Sequence, residues 1–258
     1  MNSKFTLFYK TISERRIILK PLILAIAIII LVSVRFGKPA GAKEAERKRK
    51  EFWDREREAD RTPRKDISGL DYLTIPLSTL PFHFESNISE EVAATVTPIP
   101  LSAAQLETLS KETCQELAYV EKQILKLSEK RIKNFTGLSN TDLKLAYGAA
   151  NLPVLSACDQ NYTVLVRHLQ KWGNLLADAG CKEDAITVFS YAVSIGSDIT
   201  ATYTALANLY IETGQAENIA LLIAQAHTLP TLLNDSLFHT LTDIWDSSML
   251  REQSIHES

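Results

Sequence analysis

The sequence predicts an all-α protein in which a short stack of helical hairpins follows an N-terminal transmembrane helix and an extended strap. Three observations lead to this prediction. Apolar residues recur at intervals of about 3.6 along most of the chain after Ser102, which is the period of an amphipathic helix. Glycine returns after 34 residues, at Gly180 and Gly214, a spacing typical of repeated helical hairpins. Before both, the run from Pro21 to Val34 holds fourteen residues without a charge.

Composition limits the classes of function that this chain can have. Its 258 residues leave room for one domain of ordinary size, an anchor and a connecting segment. The net charge of -3 provides no positive field that would gather nucleic acid. Cys114, Cys158 and Cys181 lie far apart, with no CxxC and no histidine at metal-ligand spacing. We therefore expect no nucleic-acid partner, no cofactor and no metal site.

The amino-terminal segment is predicted to cross a membrane. Residues 1–16 form a basic tail, and 17–36 are almost wholly apolar. Twenty helical residues reach about 30 Å, the thickness of the hydrocarbon core, if Lys20 and Arg35 extend toward the two interfaces. The alternative is a cleaved signal peptide, since Ala40-Gly41-Ala42 resembles a cleavage site. The charge of Arg35 just before that site favours the uncleaved anchor.

The orientation of this anchor is predicted from weaker signals. Basic residues flank both ends of the span, so the positive-inside rule does not decide. Because a large folded domain can be exported largely regardless of its charges, we expect the amino terminus inside and the soluble domain outside the cytoplasm. The free cysteines and the seven basic residues after the span favour the opposite topology. Either way, the prediction is a single-pass protein of the cell membrane.

Residues 37–65 are predicted to form a charged helical spacer. From Lys43 to Arg61 opposite charges recur at i,i+4, and no Gly or Pro appears before Pro63. Such a helix lifts the following domain off the bilayer. The alternative is a surface that binds lipid headgroups or another helix.

An extended strap and a linker are predicted over 66–101. Pro76 and Pro81 disfavour a helix in the strap, which we define as residues 66–82. Apolar and polar residues alternate along it, which requires a surface for the apolar side. That surface is either the helical domain of the same chain or another protein, for which the strap is then a recognition strand. The residues expected to make these contacts are Tyr72, Leu73, Ile75 and Leu77.

The helical domain is predicted over 102–258. Apolar periodicity indicates one long helix from Ser102 through Lys133. A short helix should follow from Ser139 to Gly148, another should begin near Leu152, and a stronger helix should run on to Gly180 after Tyr162. The polar stretch Asp159 to Tyr162 lies either at a bend or inside a helix.

The 34-residue spacing resembles the tetratricopeptide (TPR) repeat. That pattern alternates large and small residues around a glycine at position 15, so that two helices pack closely. With Gly180 at that position the residues that match are Leu169, Trp172, Gly173, Leu176, Ala185, Phe189 and Ala192. With Gly214 there, they are Tyr203, Leu206, Ala207, Tyr210 and Ala226, while Ile219 and Ile223 depart from the small and aromatic residues expected. The repeats are placed at about 166–199 and 200–233, with a capping helix at 234–246.

A narrower resemblance covers most of the chain. The run from Asp66 to Pro81, the segments Ser139 to Lys144 and Asp159 to Tyr162, and the repeats are similar to membrane-anchored TPR proteins of anaerobic Gram-positive bacteria. This resemblance implies an architecture, a short α-solenoid behind a membrane anchor, and no particular activity.

The TPR resemblance also implies where a ligand would lie. TPR proteins hold peptides in a groove lined by the first helix of each hairpin. The groove residues implied here are Arg167, Gln170, Lys171, Asn174, Thr204, Asn208 and Ile211. Asn174 and Asn208 occupy equivalent positions, and an amide there can pair with a peptide backbone.

The function expected from these observations is docking rather than catalysis. No phosphate-binding loop, no HExxH and no G-x-S-x-G is present, so no enzyme is predicted. We expect a membrane-tethered adaptor that binds a peptide or protein in a short TPR groove. The alternative is a structural subunit of an envelope assembly whose groove is filled by its own strap, 66–82.

Overall fold

The computed structural model describes residues 41–84, 94–103, 109–229 and 234–256, with the single positions 28, 92 and 105. Within these residues the protein is all-α, as predicted, and has no strand. The eight helices are α1 (Ala42–Arg61), α2 (Lys111–Ser128), α3 (Asn140–Tyr147), α4 (Leu152–Asp178), α5 (Lys182–Ser194), α6 (Thr200–Glu212), α7 (Asn218–Ala226) and α8 (Asn234–His256). None of the helices in this described part is long and apolar enough to cross a membrane. The predicted transmembrane segment, 17–36, lies outside the described residues apart from Ile28.

The chain divides into two compact units, Met1–Glu58 and Ala59–Ser258. α1, Ala42–Arg61, covers most of the segment predicted as a charged spacer, 37–65, and continues past the last residue of the first unit. Ion pairs one turn apart join Lys48 to Glu44 at 2.9 Å and Arg47 to Glu51 at 3.4 Å, all on exposed side chains. Such pairs stabilise a helix by only about 0.2–0.5 kcal/mol each, so the helix depends on their number and on the absence of Gly and Pro.

In the second unit the strap is extended and packs on the helices of the same chain. Ile75, Leu80 and Phe82 are buried in the main hydrophobic core. Ile67 enters a smaller core that it shares with Leu143 of α3 and with residues of α4. The alternation of apolar and polar residues in the strap therefore corresponds to an extended segment with one side buried.

The prediction of a single helix from Ser102 to Lys133 is wrong. Ser102 does start a helical turn, since its Oγ accepts a hydrogen bond from the backbone N–H of Gln105 at 3.3 Å. Ser110 has an extended backbone conformation and caps α2, accepting a hydrogen bond from the N–H of Thr113 at 3.1 Å. Apolar residues before and after Ser110 pack on the same core. The apolar periodicity of the sequence therefore continues across a position at which the backbone is not helical.

Other helix boundaries follow from local signals, as predicted. Ser139 and Asp142 form a capping box at the start of α3, which ends at Gly148. α4 begins at Leu152 and has a proline in its first turn. The stretch Asp159 to Tyr162 lies inside α4 rather than at a bend. The Tyr162 hydroxyl donates to the carbonyl of Gly196 at 2.7 Å, which ties α4 to the end of α5.

Two helical hairpins, α4–α5 and α6–α7, have the same turn 34 residues apart. Gly180 has φ 76° and Gly214 has φ 72°, a backbone conformation that favours glycine. In the first turn, the Cys181 N–H donates to the Leu176 carbonyl at 2.8 Å. In the second, the Gln215 N–H donates to the Tyr210 carbonyl at 2.7 Å. Both bonds are those of a Schellman motif at the end of a helix, so the two turns are equivalent.

α8 packs on α6 and α7 and covers the end of the second hairpin. Leu237 and Leu241 are buried there. The helix runs from Asn234 to His256 and is longer than the capping helix predicted over 234–246. At the other end, α2 packs on α4. The hairpins are therefore enclosed between α2 with the strap and α8.

Candidate functional site: a groove and a fastened strap

The predicted groove residues on α4 recur at intervals of three and four, which places Arg167, Gln170 and Asn174 along one helix face. Arg167 and Asn174 are exposed, and Gln170 is half-buried. The Nε2 of Gln170 donates to the Oδ1 of Asn174 at 3.5 Å, and its Oε1 accepts from the hydroxyl of Thr202 on α6. The bond with Thr202 joins this face of α4 to α6, whereas the bond with Asn174 lies within α4.

On α6 the predicted residues Thr204, Asn208 and Ile211 also share one face. Asn208 is exposed, whereas Thr204 and Ile211 are half-buried. Asn174 and Asn208 occupy the same place in the two hairpins, because both precede the glycine of their turn by six residues. The structure thus presents two exposed amides from neighbouring helices.

Beside Asn208, the surface of α6 adjoins α8, which was predicted only as a capping helix. A cavity of about 360 Å³ lies between α6 and α8. It is lined by Asn208, Ile211, Thr240, Asp243, Ile244, Ser247 and Ser248. The α8 residues recur at helical spacing, a signal that could have placed them on one face. Ile211 and Ile244 provide apolar surface, and the hydroxyls and Asp243 provide polar groups beside it.

Lys171 is placed differently from the rest of the predicted set. Its ammonium forms an ion pair with Glu116 of α2, and both side chains are about half exposed. Next to it, His168 lies edge-on to Tyr119 of α2, with ring centroids 6.5 Å apart. These contacts belong to the packing of α2 on α4. Lys171 is therefore engaged with α2.

The predicted strap residues pack on the two hydrophobic cores and bond the segment after α2, and their neighbour Thr74 bonds α5. The Tyr72 hydroxyl donates to the Ile67 carbonyl at 2.9 Å, and the Leu73 N–H donates to the Ile132 carbonyl at 2.8 Å. Ile75 is buried, and Leu77 is half-buried on the main core. The hydroxyl of Tyr191 on α5 donates to the Thr74 carbonyl at 3.4 Å.

The two residues that directly follow the strap, His83 and Phe84, are held by a buried carboxylate. Glu121 of α2 is fully buried. Its carboxylate accepts hydrogen bonds from the backbone N–H groups of His83, at 3.0 and 3.1 Å, and of Phe84, at 3.0 Å. It also lies 3.1 Å from the Nδ1 of His83. A buried carboxylate requires hydrogen-bond donors, and the backbone N–H groups of His83 and Phe84 require acceptors. The contact with Glu121 of α2 meets both requirements.

The same imidazole reaches the first hairpin. The Nε2 of His83 lies 3.2 Å from the Oδ2 of Asp184, in the first turn of α5. Burial lowers the pKa of His83, but hydrogen bonds to Asp184 and Glu121 and their negative charges outweigh burial and raise the pKa to about 9. At neutral pH the imidazole is therefore positively charged and lies between two carboxylates.

Cys181 lies beside this histidine at the turn between α4 and α5. Burial raises the pKa of its thiol, and the nearby Asp184 carboxylate adds to that effect. We call His83, Glu121, Cys181 and Asp184 together the His83 cluster. This cluster was not predicted, because the ring of His83 meets groups 38 and 101 residues away. Spacing along the chain gave no signal for it.

Comparison of the chain with protein-family models, with curated proteins and with solved structures found no match.

Proposed function

We propose that α4–α5 and α6–α7 are two repeats of the TPR type, and that the protein is a membrane-tethered adaptor. In this proposal an extended peptide or protein segment docks in the groove formed by α4, α6 and α8. The observation that supports it most strongly is the pair of exposed amides, Asn174 and Asn208, at equivalent places in the two hairpins, with Asn208 beside the apolar surface of Ile211 and Ile244.

The chemistry of the groove favours an extended backbone as the ligand. Each side-chain amide offers a donor and an acceptor, so it can pair with both the C=O and the N–H of one peptide unit. Ile211 and Ile244 suit an apolar side chain of the ligand. Arg167 on α4 and Asp243 on α8 carry opposite charges, so the favoured ligand has an acidic residue toward α4 and a basic residue toward α8.

The position of the strap supports an adaptor over a groove filled by its own chain. Tyr191 of α5 bonds Thr74 of the strap, and Phe82 packs on Trp172 with ring centroids 4.9 Å apart. Asp184 of α5 and Glu121 of α2 bond His83, directly after the strap. The amides of Asn174 and Asn208 are exposed. A free segment of another protein can therefore reach them.

A groove of two hairpins is short, so its intrinsic affinity is modest. Anchoring through the predicted transmembrane segment, 17–36, would raise the effective concentration of the groove for a partner in or near the same membrane. The proposed location is therefore the cell membrane, with the soluble domain outside the cytoplasm.

The test is selection of peptides from a random display library on the full-length chain in detergent. The affinity of the selected peptides is then measured for the variant Asn174→Ala/Asn208→Ala. Loss of two amide pairs, at about 1 kcal/mol each, weakens binding about 30-fold. Gln225→Ala on α7 removes an exposed amide outside the groove and serves as the matched control. Equal affinity for the double variant and for the control would contradict the proposal.

A second variant separates the two functions considered above. Leu73→Ser/Leu77→Ser weakens the packing of two half-buried strap residues on the main core. If the strap filled the groove, this change would raise the affinity for the selected peptides. The adaptor proposal expects unchanged affinity, because the strap and the peptide occupy different surfaces.

A further inference from the structure

Three side chains of different chemistry converge where the strap meets the first hairpin. The imidazole of His83, the thiol of Cys181 and the carboxylate of Asp184 each offer one donor atom, and these atoms all lie within 4.8 Å of one another. His83 directly follows the strap, Cys181 comes from the turn before α5, and Asp184 comes from the first turn of α5. We propose that these three residues bind one zinc ion.

The donor set selects the class of metal. A thiolate, an imidazole nitrogen and a carboxylate oxygen together suit zinc, whereas magnesium and calcium take oxygen ligands. Zinc binds such atoms at about 2.0–2.3 Å, so tetrahedral ligands lie about 3.3–3.8 Å apart. From a separation within 4.8 Å, the three side chains need to move by only about 1 Å.

Glu121 is placed to orient the histidine. Its carboxylate contacts Nδ1 of His83 and directs Nε2 toward Asp184 and Cys181. Histidine ligands of zinc commonly have a carboxylate on the opposite ring nitrogen, which fixes the tautomer and the ring orientation. Hydrogen bonds from the N–H groups of His83 and Phe84 hold Glu121 in turn. Orientation of the His83 ring would explain why a fully buried carboxylate, Glu121, is present at this position.

The surroundings of the sulfur and of the carboxylate also suit a metal. The Nε2 of Gln105 donates to the Sγ of Cys181 at 3.0 Å, and such a bond stabilises a thiolate ligand. The side chains of His83 and Cys181 are buried, whereas that of Asp184 is 32% exposed. The site is thus enclosed on the strap side and open to water at Asp184, which leaves a fourth position for a water molecule.

Zinc binding balances charge without any redox step. The ion replaces two protons, one on Nε2 of His83 and one on the thiol of Cys181, and both go to solvent. Its two positive charges then face Asp184 and the Cys181 thiolate, with Glu121 behind the imidazole. The bound ion joins the strap to the α4–α5 turn. This inference concerns a surface separate from the groove and does not depend on the adaptor function.

The test uses the full-length chain in detergent, stripped with a chelator and dialysed against zinc. About one zinc per chain is expected to remain bound, and Cys181→Ser and His83→Gln each remove it. Cys114→Ser, in α2 and outside the cluster, is the matched control and keeps the zinc. Glu121→Gln weakens zinc binding by about 10–100-fold, as expected for a residue that orients a ligand. Absence of retained zinc, or equal retention by Cys181→Ser, would overturn the proposal.

Cobalt gives a readout that does not depend on the folding of a variant. Cobalt(II) replaces zinc in sites of this kind, and a bound thiolate gives it a charge-transfer absorption. The unmodified chain and Cys114→Ser are expected to show this band, and added zinc is expected to remove it. If the unmodified chain binds cobalt without a thiolate band, Cys181 is not a ligand and the proposed site is wrong.

Discussion

The two helical hairpins have the same turn but differ in how closely their helices approach. In the first hairpin, a Cβ atom at Gly173 would lie 2.4 Å from Cε1 of the buried Phe189 ring. In the second, the equivalent places hold Ala207, which is buried, and Ile223, which is only partly buried. The turn is set locally by a glycine, whereas the closeness of the helices is set by a pair of residues on different helices.

The hairpins also differ in what covers them. The first is covered by α2 and by the strap, whose Phe82 packs on Trp172. The second is covered by α8. The first hairpin therefore carries the structural attachments of the strap, and the second carries the cavity beside Asn208. The attachments of the strap and the cavity of the proposed binding surface therefore lie on different hairpins.

The largest expected effect follows truncation of Trp172, which should destabilise the protein more than truncation of its counterpart in the second hairpin, Leu206. Both side chains are fully buried or nearly so. Trp172→Ala is expected to lower the free energy of unfolding by about 3–5 kcal/mol, and Leu206→Ala by about 2–4 kcal/mol. Chemical denaturation of the full-length chain followed by circular dichroism measures both.

The milder variant Trp172→Phe tests whether packing volume, rather than a hydrogen bond, is what Trp172 contributes. The indole N–H of Trp172 is buried and has no hydrogen-bond partner among the described residues. Trp172→Phe therefore loses packing volume but no hydrogen bond, and it should be much less harmful than Trp172→Ala. If Leu206→Ala were the more damaging of the two alanine variants, the strap would not stabilise the first hairpin as described.

An intermediate effect is expected at the close helix approach. Gly173→Ala places a methyl group against the Phe189 ring, and this overpacking should lower the free energy of unfolding by about 1–3 kcal/mol despite the better helix propensity of alanine. The double variant Gly173→Ala/Phe189→Leu should recover part of this loss, because leucine is smaller. A Gly173→Ala variant as stable as the original chain would show that the first hairpin is not the tighter one.

The smallest effect is expected at the turns, where the hairpins are alike. Gly180 and Gly214 have positive φ, and a Cβ at either position meets nothing within 4 Å. Gly180→Ala and Gly214→Ala should each lower the free energy of unfolding by about 1–2 kcal/mol, through backbone strain alone. Their effects should agree to within about 0.5 kcal/mol. A clear inequality would mean that the turns are not equivalent.

The parts of this structure that were predictable depend on residues close in sequence. The capping box of Ser139 and Asp142 and the turns at Gly180 and Gly214 were readable because each is a local hydrogen-bond pattern. The break at Ser110 was missed because apolar periodicity records which side is buried, and that side stays the same across the break. One serine at position 110 is a weaker signal than the apolar periodicity of the whole segment.

The parts that were not predictable are formed by distant segments. His83 meets Glu121 and Asp184 only because the strap returns along α2 to the first hairpin. The residues of α8 line the cavity beside Asn208 only because α8 packs on α6. Neither convergence has a fixed spacing along the chain, so a single sequence offers no signal for it.

The central claim, that the groove docks an extended segment, is tested most directly by locating a bound peptide. A photo-crosslinking amino acid is placed at position 208 or 174 of the full-length chain, and at position 225 as a control on α7. A peptide selected on the unmodified chain is then added and irradiated. The proposed function predicts crosslinks from 208 and 174 and none from 225. Crosslinking from 225 alone, or equally from all three positions, would contradict it.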